Sequence, residues 1–282
     1  MDDRRWRLAH GQSLIVGPRS VLMGVLNVTP DSFSDGGRFL EHASALEQAA
    51  RMIGEGAEII DVGGESTRPG AEPVSAAEEQ DRVLPVIEEL AKAGGAMISI
   101  DTYRAETARL AIEAGAHIIN DVWGLHREVE VADVAAAKGA GLIIMHTGRA
   151  REKLPDGIAD QKHFLGAAIE IAQKAGVKDE QIVLDPGFGF AKEVAEENLD
   201  LMWRFGELHT LGYPLAVGTS RKRFIGTVTG RDGDARDVGT AATNVILRLA
   251  GAVIFRVHNV AINKDALAFA DAMVARRVTP EH

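Results

Sequence analysis

The sequence contains no cysteine among its 282 residues. A chain without thiols forms no disulfides, binds no metal through thiolates and has no cysteine nucleophile. A lack of disulfides is compatible with a reducing compartment, and we expect a cytoplasmic protein.

Long apolar runs and an excess of basic residues are also missing. No stretch approaches the ~20 apolar residues of a membrane-spanning helix, and the first residues have no apolar segment of the signal-peptide type. We therefore expect no membrane partner. The formal net charge of −10 at pH 7 argues against a nucleic-acid partner, because phosphate backbones are bound by clustered basic residues.

Several catalytic signatures are absent. The sequence has no phosphate-binding P-loop, no His-Glu-x-x-His and no Gly-x-Ser-x-Gly, so nucleotide hydrolysis, zinc proteolysis and serine hydrolysis lose their usual signals. The turn after the first predicted strand begins with Asn27 and is not glycine-rich, which disfavours an open dinucleotide-binding sheet.

The chain does contain eight short apolar runs, each followed by a helical pattern. The runs are continuously apolar, which is typical of parallel strands covered on both faces. Eight such units in one chain of this length predict a single α/β domain folded as a (β/α)₈ TIM barrel. The predicted strands are 21–26, 57–62, 97–100, 117–119, 141–145, 181–184, 215–217 and 252–257. The predicted helices are 44–55, 76–93, 103–114, 129–138, 159–175, 195–210, 235–250 and 264–276.

Local signals predict some of the element ends. Ser44 with Glu47, and Ser75 with Glu78, have the spacing of capping boxes, which predicts a helix start at each serine. Glycines stand where three helices should end with a positive φ: Gly115, Gly139 and Gly176.

The first 20 residues precede the barrel, which we assign to residues 21–282. Segment 14–16, a turn at Gly17 and Pro18, and segment 21–22 could form a short N-terminal hairpin. We expect this hairpin to close the bottom of the barrel.

Polar side chains follow all eight predicted strands: Asn27, Asp61, Asp101, Asn120, His146, Asp185, Ser220 with Lys222, and Arg256 with His258. A single Asn or Asp there is usually only a turn former. Eight polar strand ends at one edge of a barrel instead predict a catalytic mouth, because active sites of this fold lie at the carboxyl ends of the strands.

The residue types at the mouth predict two kinds of ligand group. Asp101, Asn120 and Asp185 suit a flat heterocycle that presents N–H donors beside acceptors, such as an aminopyrimidinone, and Lys222 can donate to its ring carbonyl or nitrogen. The cations Arg68, Lys222, Arg256 and His258 form a local positive site for an anion such as phosphate. Loops 29–38 and 63–74 exceed the usual ~2–6 residues of a βα connection and are predicted lids.

The ordered motifs resemble those of the dihydropteroate synthase family, a pterin-binding TIM-barrel family, from about residue 21 to residue 272. They are Asn27-Val-Thr-Pro-Asp-Ser-Phe-Ser-Asp-Gly-Gly37, Asp61-Val-Gly-Gly-Glu-Ser-Thr-Arg-Pro-Gly70, Ser99-Ile-Asp-Thr102, Ile119-Asn-Asp121, Met145-His146, Asp185-Pro-Gly-Phe-Gly189, Ser220-Arg-Lys222 and Arg256-Val-His258. The resemblance implies an enzyme that joins 6-hydroxymethyl-7,8-dihydropterin pyrophosphate to p-aminobenzoate and uses Mg²⁺ as cofactor. It also implies that the protein is a homodimer.

The resemblance also implies a role for individual residues. The pterin would contact Asp101, Asn120, Met145, Asp185, Gly218, Lys222 and Arg256. The pyrophosphate site would consist of Asn27, Thr67, Arg256 and His258, with Asn27 as the magnesium contact. The p-aminobenzoate region would consist of Phe33, Arg68, Pro69, Phe190 and Ser220. The catalytic residues would be Asp35, Arg68, Lys222, Arg256 and His258, with Asp35 stabilising a cationic pterin intermediate.

Two positions and one segment depart from the commonest family pattern. Asn259 stands where many members have Asp, and Ala191 replaces a frequent Gly. The segment after His146, Thr-Gly-Arg-Ala-Arg-Glu-Lys, is more basic than the usual Met-Gln-Gly type.

Three other functions remain open. A pterin-binding methyltransferase barrel shares the heterocycle pocket but needs neither the Ser-Thr-Arg-Pro loop nor the phosphate site. A Schiff-base aldolase would need a lysine at the end of the sixth strand. A non-catalytic pterin-binding paralogue would be expected to lose Asn27, Arg68, Lys222 or Arg256, all of which are present.

Overall fold

The centre of the molecule is an eight-stranded parallel sheet that curves into a barrel. The computed structural model describes residues 3–28, 37–65, 74–192 and 194–278, with 37–41 and 277–278 described by their backbone alone. The strands, in chain order, are β1 (Arg4–Arg7), β2 (Ser13–Val16), β3 (Val21–Asn27), β4 (Ile59–Gly63), β5 (Met97–Asp101), β6 (Ile118–Asp121), β7 (Gly141–Met145), β8 (Ile182–Asp185), β9 (Ala216–Val217) and β10 (Ile254–Val257).

Strand order confirms the predicted (β/α)₈ barrel. The sheet runs β8-β7-β6-β5-β4-β3-β10-β9 with parallel neighbours. The ends meet where the Leu184 amide donates to the Pro214 carbonyl over 3.0 Å and Leu184 pairs with Leu215. Each of the eight barrel strands in the described part of the chain therefore has a neighbour on both sides.

Helices surround the sheet and return the chain between parallel strands. They are α1 (Gly37–Glu55), α2 (Ala76–Ala93), α3 (Ala105–Glu113), α4 (Glu130–Lys138), α5 (Gly157–Lys174), α6 (Ala195–Trp203), α7 (Arg223–Thr229), α8 (Asp237–Leu249) and α9 (Val260–Val278). In the part of the chain that the structure describes, none of these helices has the length and apolar character needed to cross a bilayer.

Two predicted features of the helices need correction. The helix start at Ser44 is wrong, because α1 already begins at Gly37; a Ser-x-x-Glu spacing also occurs inside helices, so it does not by itself mark a terminus. The start at Ser75 is confirmed, since its hydroxyl accepts from the Glu78 amide over 3.2 Å. The predicted helix 195–210 ends at Trp203 and continues as a 3₁₀ helix over Phe205–Leu211.

The N-terminal hairpin exists, but its predicted pairing is wrong. β2 pairs antiparallel with β1, not with segment 21–22, which forms the start of barrel strand β3. Trp6 of β1 is buried against the barrel base, where its ring N–H donates to the Gln181 carbonyl over 2.7 Å. Gly141 makes this approach possible, because a Cβ there would lie 2.5 Å from the Leu8 side chain.

Side chains of the strands alternate between two cores, as the period of two requires. Ile59, Ile143 and Val183 belong to an inner cluster with the hairpin residues Trp6 and Leu8. The residues that follow each of them along the strands belong to an outer cluster under the helices: Ile60, Ile144 and Leu184. This alternation decides which polar side chains reach the mouth.

Candidate active site

The inner face of the strands carries most of the predicted pterin contacts at its upper end. Asp61, Met145 and Asp185 each stand two positions after an inner-core residue, on the same strand and the same face. Asp101, Asn120 and Arg256 occupy the corresponding last inward positions of β5, β6 and β10. Residues that are far apart in sequence therefore meet at the mouth.

Arg256 organises the acidic side of this mouth. Its Nε donates to Asp61 Oδ2 over 2.6 Å, and its Nη2 donates to Asp101 Oδ2 over 2.8 Å. Asn120 Nδ2 donates to the same Asp61 oxygen over 3.1 Å. Asp61 is fully buried, and among the described residues its Oδ1 has no hydrogen-bond partner.

Asp61 is a site residue to which sequence reasoning gave no role, although it appeared among the polar strand ends. The sequence did contain a signal for its inward position: Asp61 stands two residues after Ile59, an inner-core residue of the same strand. A buried carboxylate with only one oxygen satisfied is costly unless a partner is supplied. Asp61 holds Arg256 in place from below the pocket.

Burial shifts the pKa values of the ionisable groups at the mouth. Burial raises the pKa of Asp101 well above its ordinary value, which the Arg256 charge only partly offsets. Burial raises the pKa of Asp185 to about 6, against its hydrogen bond from the Gly187 amide. Burial, with repulsion from Arg256, lowers the pKa of Lys222 to about 7. Each of these groups can thus change protonation near neutral pH, which is typical of functional sites.

The loop after β8 wraps around Lys222. Lys222 Nζ lies 3.8 Å from the ring centroid of Phe190. Gly189 has φ +75°, and a Cβ there would come within 3.0 Å of Lys222 Cδ. The glycine therefore allows the lysine to cross the loop and enter the pocket.

Ser220 and His258 form a hydrogen-bonded pair beside Arg256. The Ser220 hydroxyl lies 2.9 Å from His258 Nδ1 and accepts from the His258 amide over 3.1 Å. Burial and the neighbouring charge of Arg256 lower the pKa of His258 to about 3. A pKa lowered in this way favours the neutral imidazole. The part of His258 as a cation of the anion site stays a prediction.

Asn27 and Gly218 complete the described mouth. Asn27 ends β3, and its Oδ1 lies close to Gly63, where a Cβ would be 3.7 Å from that oxygen and 3.6 Å from Asp101 Cβ. Gly218 similarly lies against Arg256, since a Cβ there would be 3.7 Å from Arg256 Cβ. Both glycines keep space open between neighbouring ligand residues.

His146 is the strand-end residue that the mouth does not include. It follows the inward Met145 by one position and therefore points to the helix side, where it contacts Phe164 of α5. Its Nε2 lies 2.8 Å from Asp160 Oδ2, and its Nδ1 lies 3.2 Å from Lys192 Nζ. The expectation that all eight strand ends converge on the mouth is wrong at His146, because successive residues of a strand point to opposite faces of the sheet.

Several predicted residues lie outside the described residues: Phe33, Asp35, Thr67, Arg68 and Pro69.

Two positions that depart from the commonest family pattern lie near the mouth. Ala191 has a positive φ of +52°. Asn259 Nδ2 donates to Asp237 Oδ2 over 3.0 Å, and its Oδ1 accepts from the Ile262 amide at the start of α9. Asn259 therefore holds α9 against Asp237.

Comparison with known proteins agrees with this geometry. The family model described as pterin binding enzyme matches residues 23–258. A dihydropteroate synthase from Clostridium beijerinckii is 45% identical over 262 residues, which cover 93% of this chain and 97% of that protein. A dihydropteroate synthase from Bacillus subtilis is 47% identical over 245 residues, covering 86% and 84%.

Solved structures give the same result in three dimensions. A dihydropteroate synthase from Clostridium difficile, crystallised in the presence of pteroic acid, has a TM-score of 0.89 at 45% identity and covers 92% of this chain and 98% of its own. The Xanthomonas albilineans dihydropteroate synthase with 4-aminobenzoic acid has a TM-score of 0.89 at 38% identity, covering 98% and 100%.

The chain belongs to the pterin-binding enzyme family of (β/α)₈ barrels. Within that family the similar proteins named above are dihydropteroate synthases, and the chain matches them over most of their length. The chain is, like them, a transferase of folate biosynthesis.

Proposed function

We propose that this chain condenses 6-hydroxymethyl-7,8-dihydropterin pyrophosphate with p-aminobenzoate, giving 7,8-dihydropteroate and pyrophosphate. The observation that carries the proposal is the mouth in which Arg256 bridges Asp61 and Asp101 beside Asn120. This is an inward-facing set of acceptors and donors for a flat heterocycle, next to cations for an anion.

The pterin pocket is the part that the described residues support best. Asp101 and Asp185 have raised pKa values, so each can either accept from a ring N–H or, when protonated, donate to a ring nitrogen. Lys222 donates to the ring carbonyl or nitrogen, and Asn120 supplies an amide. Arg256, fixed by its two carboxylates, offers the flat face of its guanidinium group to the ring.

The cations at the mouth can stabilise the charge of the leaving group, pyrophosphate. The arylamine nitrogen bonds to the pterin methylene carbon and loses a proton, the C–O bond to pyrophosphate breaks, and pyrophosphate departs with the bonding pair and increased negative charge. Arg256 stabilises that charge directly, and neutral His258 donates a hydrogen bond. Because Ser220 holds His258 at 2.9 Å, its imidazole is oriented before substrate arrives.

The site fits Mg²⁺ only if substrate phosphate oxygens and water complete the coordination of the ion. Among the described residues no group of three or more His, Asp or Glu side chains could hold a metal by itself. Asn27 offers an amide oxygen at the end of β3, and Mg²⁺ in proteins commonly takes one or two protein oxygens together with substrate phosphates and water. A bound Mg²⁺ would neutralise charge on the pyrophosphate oxygens.

The p-aminobenzoate region is proposed around Phe190 and Ser220. Phe190 is half-buried and lies against Lys222, and Ser220 is buried beside His258. Asp35 and Arg68, whose catalytic roles rest on the family resemblance, lie with Thr67 outside the described residues and stay proposals.

Assembly and location are also proposals. Large apolar side chains are exposed on α8 and α9, including Val238, Ile246, Phe269 and Met273, which supports a homodimer formed through these outer helices. The lack of cysteine supports a cytoplasmic location. The division into an N-terminal extension, 1–20, and a barrel, 21–282, remains a prediction.

One assay tests the proposed reaction. Purified protein is incubated with pterin pyrophosphate, p-aminobenzoate and Mg²⁺, and both dihydropteroate and pyrophosphate are measured. We expect the two products in equal amounts and none without p-aminobenzoate. Pterin binding without turnover would instead favour the non-catalytic paralogue. In a separate mixture, methyl transfer from a methylated pterin to an added corrinoid would favour the methyltransferase barrel.

A further inference from the structure

The loop that follows β8 folds around the ammonium group of one lysine, Lys192. Lys192 Nζ donates to the Gly187 carbonyl over 2.8 Å and to the Pro186 carbonyl over 3.1 Å. The same nitrogen lies 3.4 Å from the Phe190 carbonyl oxygen and 3.2 Å from His146 Nδ1. An ammonium group has three N–H donors, and these four acceptors can engage all of them. Lys192 therefore binds its own loop rather than a substrate.

The backbone of this loop brings several carbonyl oxygens together. Gly187, Gly189 and Ala191 have positive φ values of +64°, +75° and +52°. A left-handed residue at every second position curls the chain. Carbonyl oxygens carry partial negative charge, so oxygens gathered around one point repel one another unless a cation lies between them. Here the cation belongs to the chain itself, and the loop depends on it for its shape.

The Gly187 peptide transmits this arrangement to the mouth. Its amide donates to Asp185 Oδ1 over 2.7 Å, and its carbonyl accepts from the Phe190 amide over 3.1 Å as well as from Lys192. Phe190 in turn places its ring centroid 3.8 Å from Lys222 Nζ. One peptide thus connects the Lys192 ammonium group to the ring against which p-aminobenzoate is proposed to lie.

Lys192 acts from behind the loop and not from inside the mouth. Its neighbour His146 points to the helix side of the barrel wall, where His146 Nε2 lies 2.8 Å from Asp160 Oδ2. The reaction proposed above uses none of these three side chains. Lys192 can therefore affect that reaction only through the loop that it holds.

Two neutral amides hold the same loop, and Lys192 differs from them by its charge. Gln161 Nε2 of α5 donates to the Pro186 carbonyl over 2.9 Å. Asn198 Oδ1 of α6 accepts from the Gly189 amide over 2.8 Å. A neutral amide satisfies individual backbone groups, whereas an ammonium group also offsets the repulsion between the gathered oxygens. The charge is therefore the property of Lys192 to test.

We propose that Lys192 is a positioning residue for the acceptor substrate: its ammonium group shapes the loop after β8 and thereby holds the Phe190 ring where p-aminobenzoate lies. The inference rests on the proposed function and adds a residue to it. No bond forms or breaks at Lys192. Its loss should weaken binding of p-aminobenzoate rather than slow the chemical step, because Arg256, which stabilises the leaving group, is held by two carboxylates of other strands.

Steady-state kinetics separate the effect on binding from the effect on chemistry. kcat and KM for p-aminobenzoate are measured at saturating pterin pyrophosphate in the wild type, in Lys192→Met and in the control Lys153→Met. Lys153 also donates to this segment, to the Ala191 carbonyl over 2.8 Å, but it is exposed and pairs with Glu197. We expect Lys192→Met to raise KM about tenfold with kcat within about threefold of wild type, and the control to change both less than about twofold.

Chemical rescue tests the charge. Burial lowers the pKa of Lys192 to about 7, so the assays are run at about pH 6.5, where the ammonium form predominates. Lys192→Ala removes the atoms of a propylammonium ion, which is then added at constant ionic strength. The comparators are 1-propanol, which has the same length without the charge, and tetramethylammonium, a cation without N–H donors. We expect propylammonium alone to lower KM towards the wild-type value.

Binding of product provides a readout that does not need turnover. Pteroate, which contains the aminobenzoyl ring, and 6-hydroxymethylpterin, which does not, are titrated calorimetrically into the wild type, Lys192→Met and Lys192→Gln. Circular dichroism verifies that the variants are folded, and Lys192→Gln is a second neutral variant that keeps N–H donors. We expect the affinity for pteroate to fall about tenfold in both variants and the affinity for the pterin less than about threefold.

The outcomes separate the two hypotheses. A wild-type KM in folded Lys192→Met, an equal rise in Lys153→Met, absence of rescue, or rescue by 1-propanol as large as that by propylammonium overturns the positioning proposal and leaves the proposed function standing. Absence of arylamine-dependent turnover in the wild type overturns the proposed function. The calorimetric comparison then decides the positioning proposal separately, and equal losses for pteroate and the pterin overturn it.

Discussion

Two clusters of charged side chains lie on opposite faces of the barrel wall and behave differently. The inner cluster contains Asp61, Asp101 and Arg256, and the outer cluster contains His146 and Asp160, with Arg151 and Lys192 around them. Both combine acids with bases and are mostly buried. Met145 and His146, which are adjacent in sequence, point to opposite faces and mark the boundary.

The difference lies in how completely each carboxylate is satisfied. Asp160 is buried, but bonds from Arg151, the Leu154 amide and His146 outweigh that burial and keep its pKa below its usual range. Asp101 has one strong partner, Arg256, and burial prevails, so its pKa is raised. A satisfied cluster stabilises the fold, whereas an incompletely satisfied one has capacity left for a ligand.

Replacing Arg256 should have the largest effect. In Arg256→Gln, Asp61 and Asp101 lose their counter-charge inside the protein, and we expect the free energy of unfolding to fall by about 3 kcal/mol. Turnover should fall more than a hundredfold, because the same group stabilises the leaving pyrophosphate. Urea unfolding and steady-state kinetics measure both, with Arg51→Gln, at an exposed arginine of α1, as the control; wild-type stability would contradict the bridging role.

Replacing Lys222 should affect binding more than stability. Lys222→Ala removes a half-buried donor to the ring, and we expect pterin affinity to fall about a hundredfold by calorimetry. The neighbouring Arg223 is exposed and serves as the matched control in Arg223→Ala. Unchanged affinity in the Lys222 variant would remove this lysine from the pocket.

The pH dependence of pterin binding follows from the same groups. Protonated Lys222 is lost above its pKa of about 7, and the Asp185 carboxylate is lost below its pKa of about 6. Affinity in the free protein should therefore be highest between about pH 6 and 7 and fall up to tenfold per unit outside that range. Asp185→Asn should weaken the acid limb, leaving the part due to Asp101, and should shift the base limb to lower pH, because the Asp185 charge raises the pKa of Lys222. An acid limb unchanged from wild type would assign the titration to another group.

The outer cluster should give the smallest effect on catalysis. Asp160→Asn removes the carboxylate that pairs with Arg151, and we expect about 2 kcal/mol lower stability with kcat within about threefold of wild type. Because the folded pKa of Asp160 is depressed, its stabilisation is present above its unfolded pKa of ~3.9 and is lost as the pH falls towards the folded value. The free energies of unfolding of wild type and variant should therefore converge as the pH falls. A large loss of kcat would contradict the division between the clusters.

Most of the strand and helix pattern was predictable because most elements have a local signal; β1 and α7 were not predicted. Continuous apolar runs marked all eight barrel strands, and Gly115, Gly139 and Gly176 have the positive φ that their places at helix ends required. The pairing of the N-terminal hairpin was not predictable in this way. Any of several short apolar segments could have paired with β2, and burial of Trp6 under the barrel selected β1.

The candidate site was predictable as a set of strand ends but not as a set of contacts. Counting parity from Ile59 or Ile143 would have placed Asp61 inside and His146 outside from the sequence. The bonds from Arg256 to Asp61 and Asp101 join residues 195 and 155 positions apart. No local pattern contains that information.

The sequence by itself determined the eight βα units, the ligand-bearing strand ends and the resemblance to the dihydropteroate synthases, because these depend on residue type, spacing and order. Tertiary structure alone decided which charges are paired and which remain available. Burial and the distance between groups set the pKa values of Asp185, Lys222 and His258. Both arise only when the barrel closes and brings distant strands to one mouth.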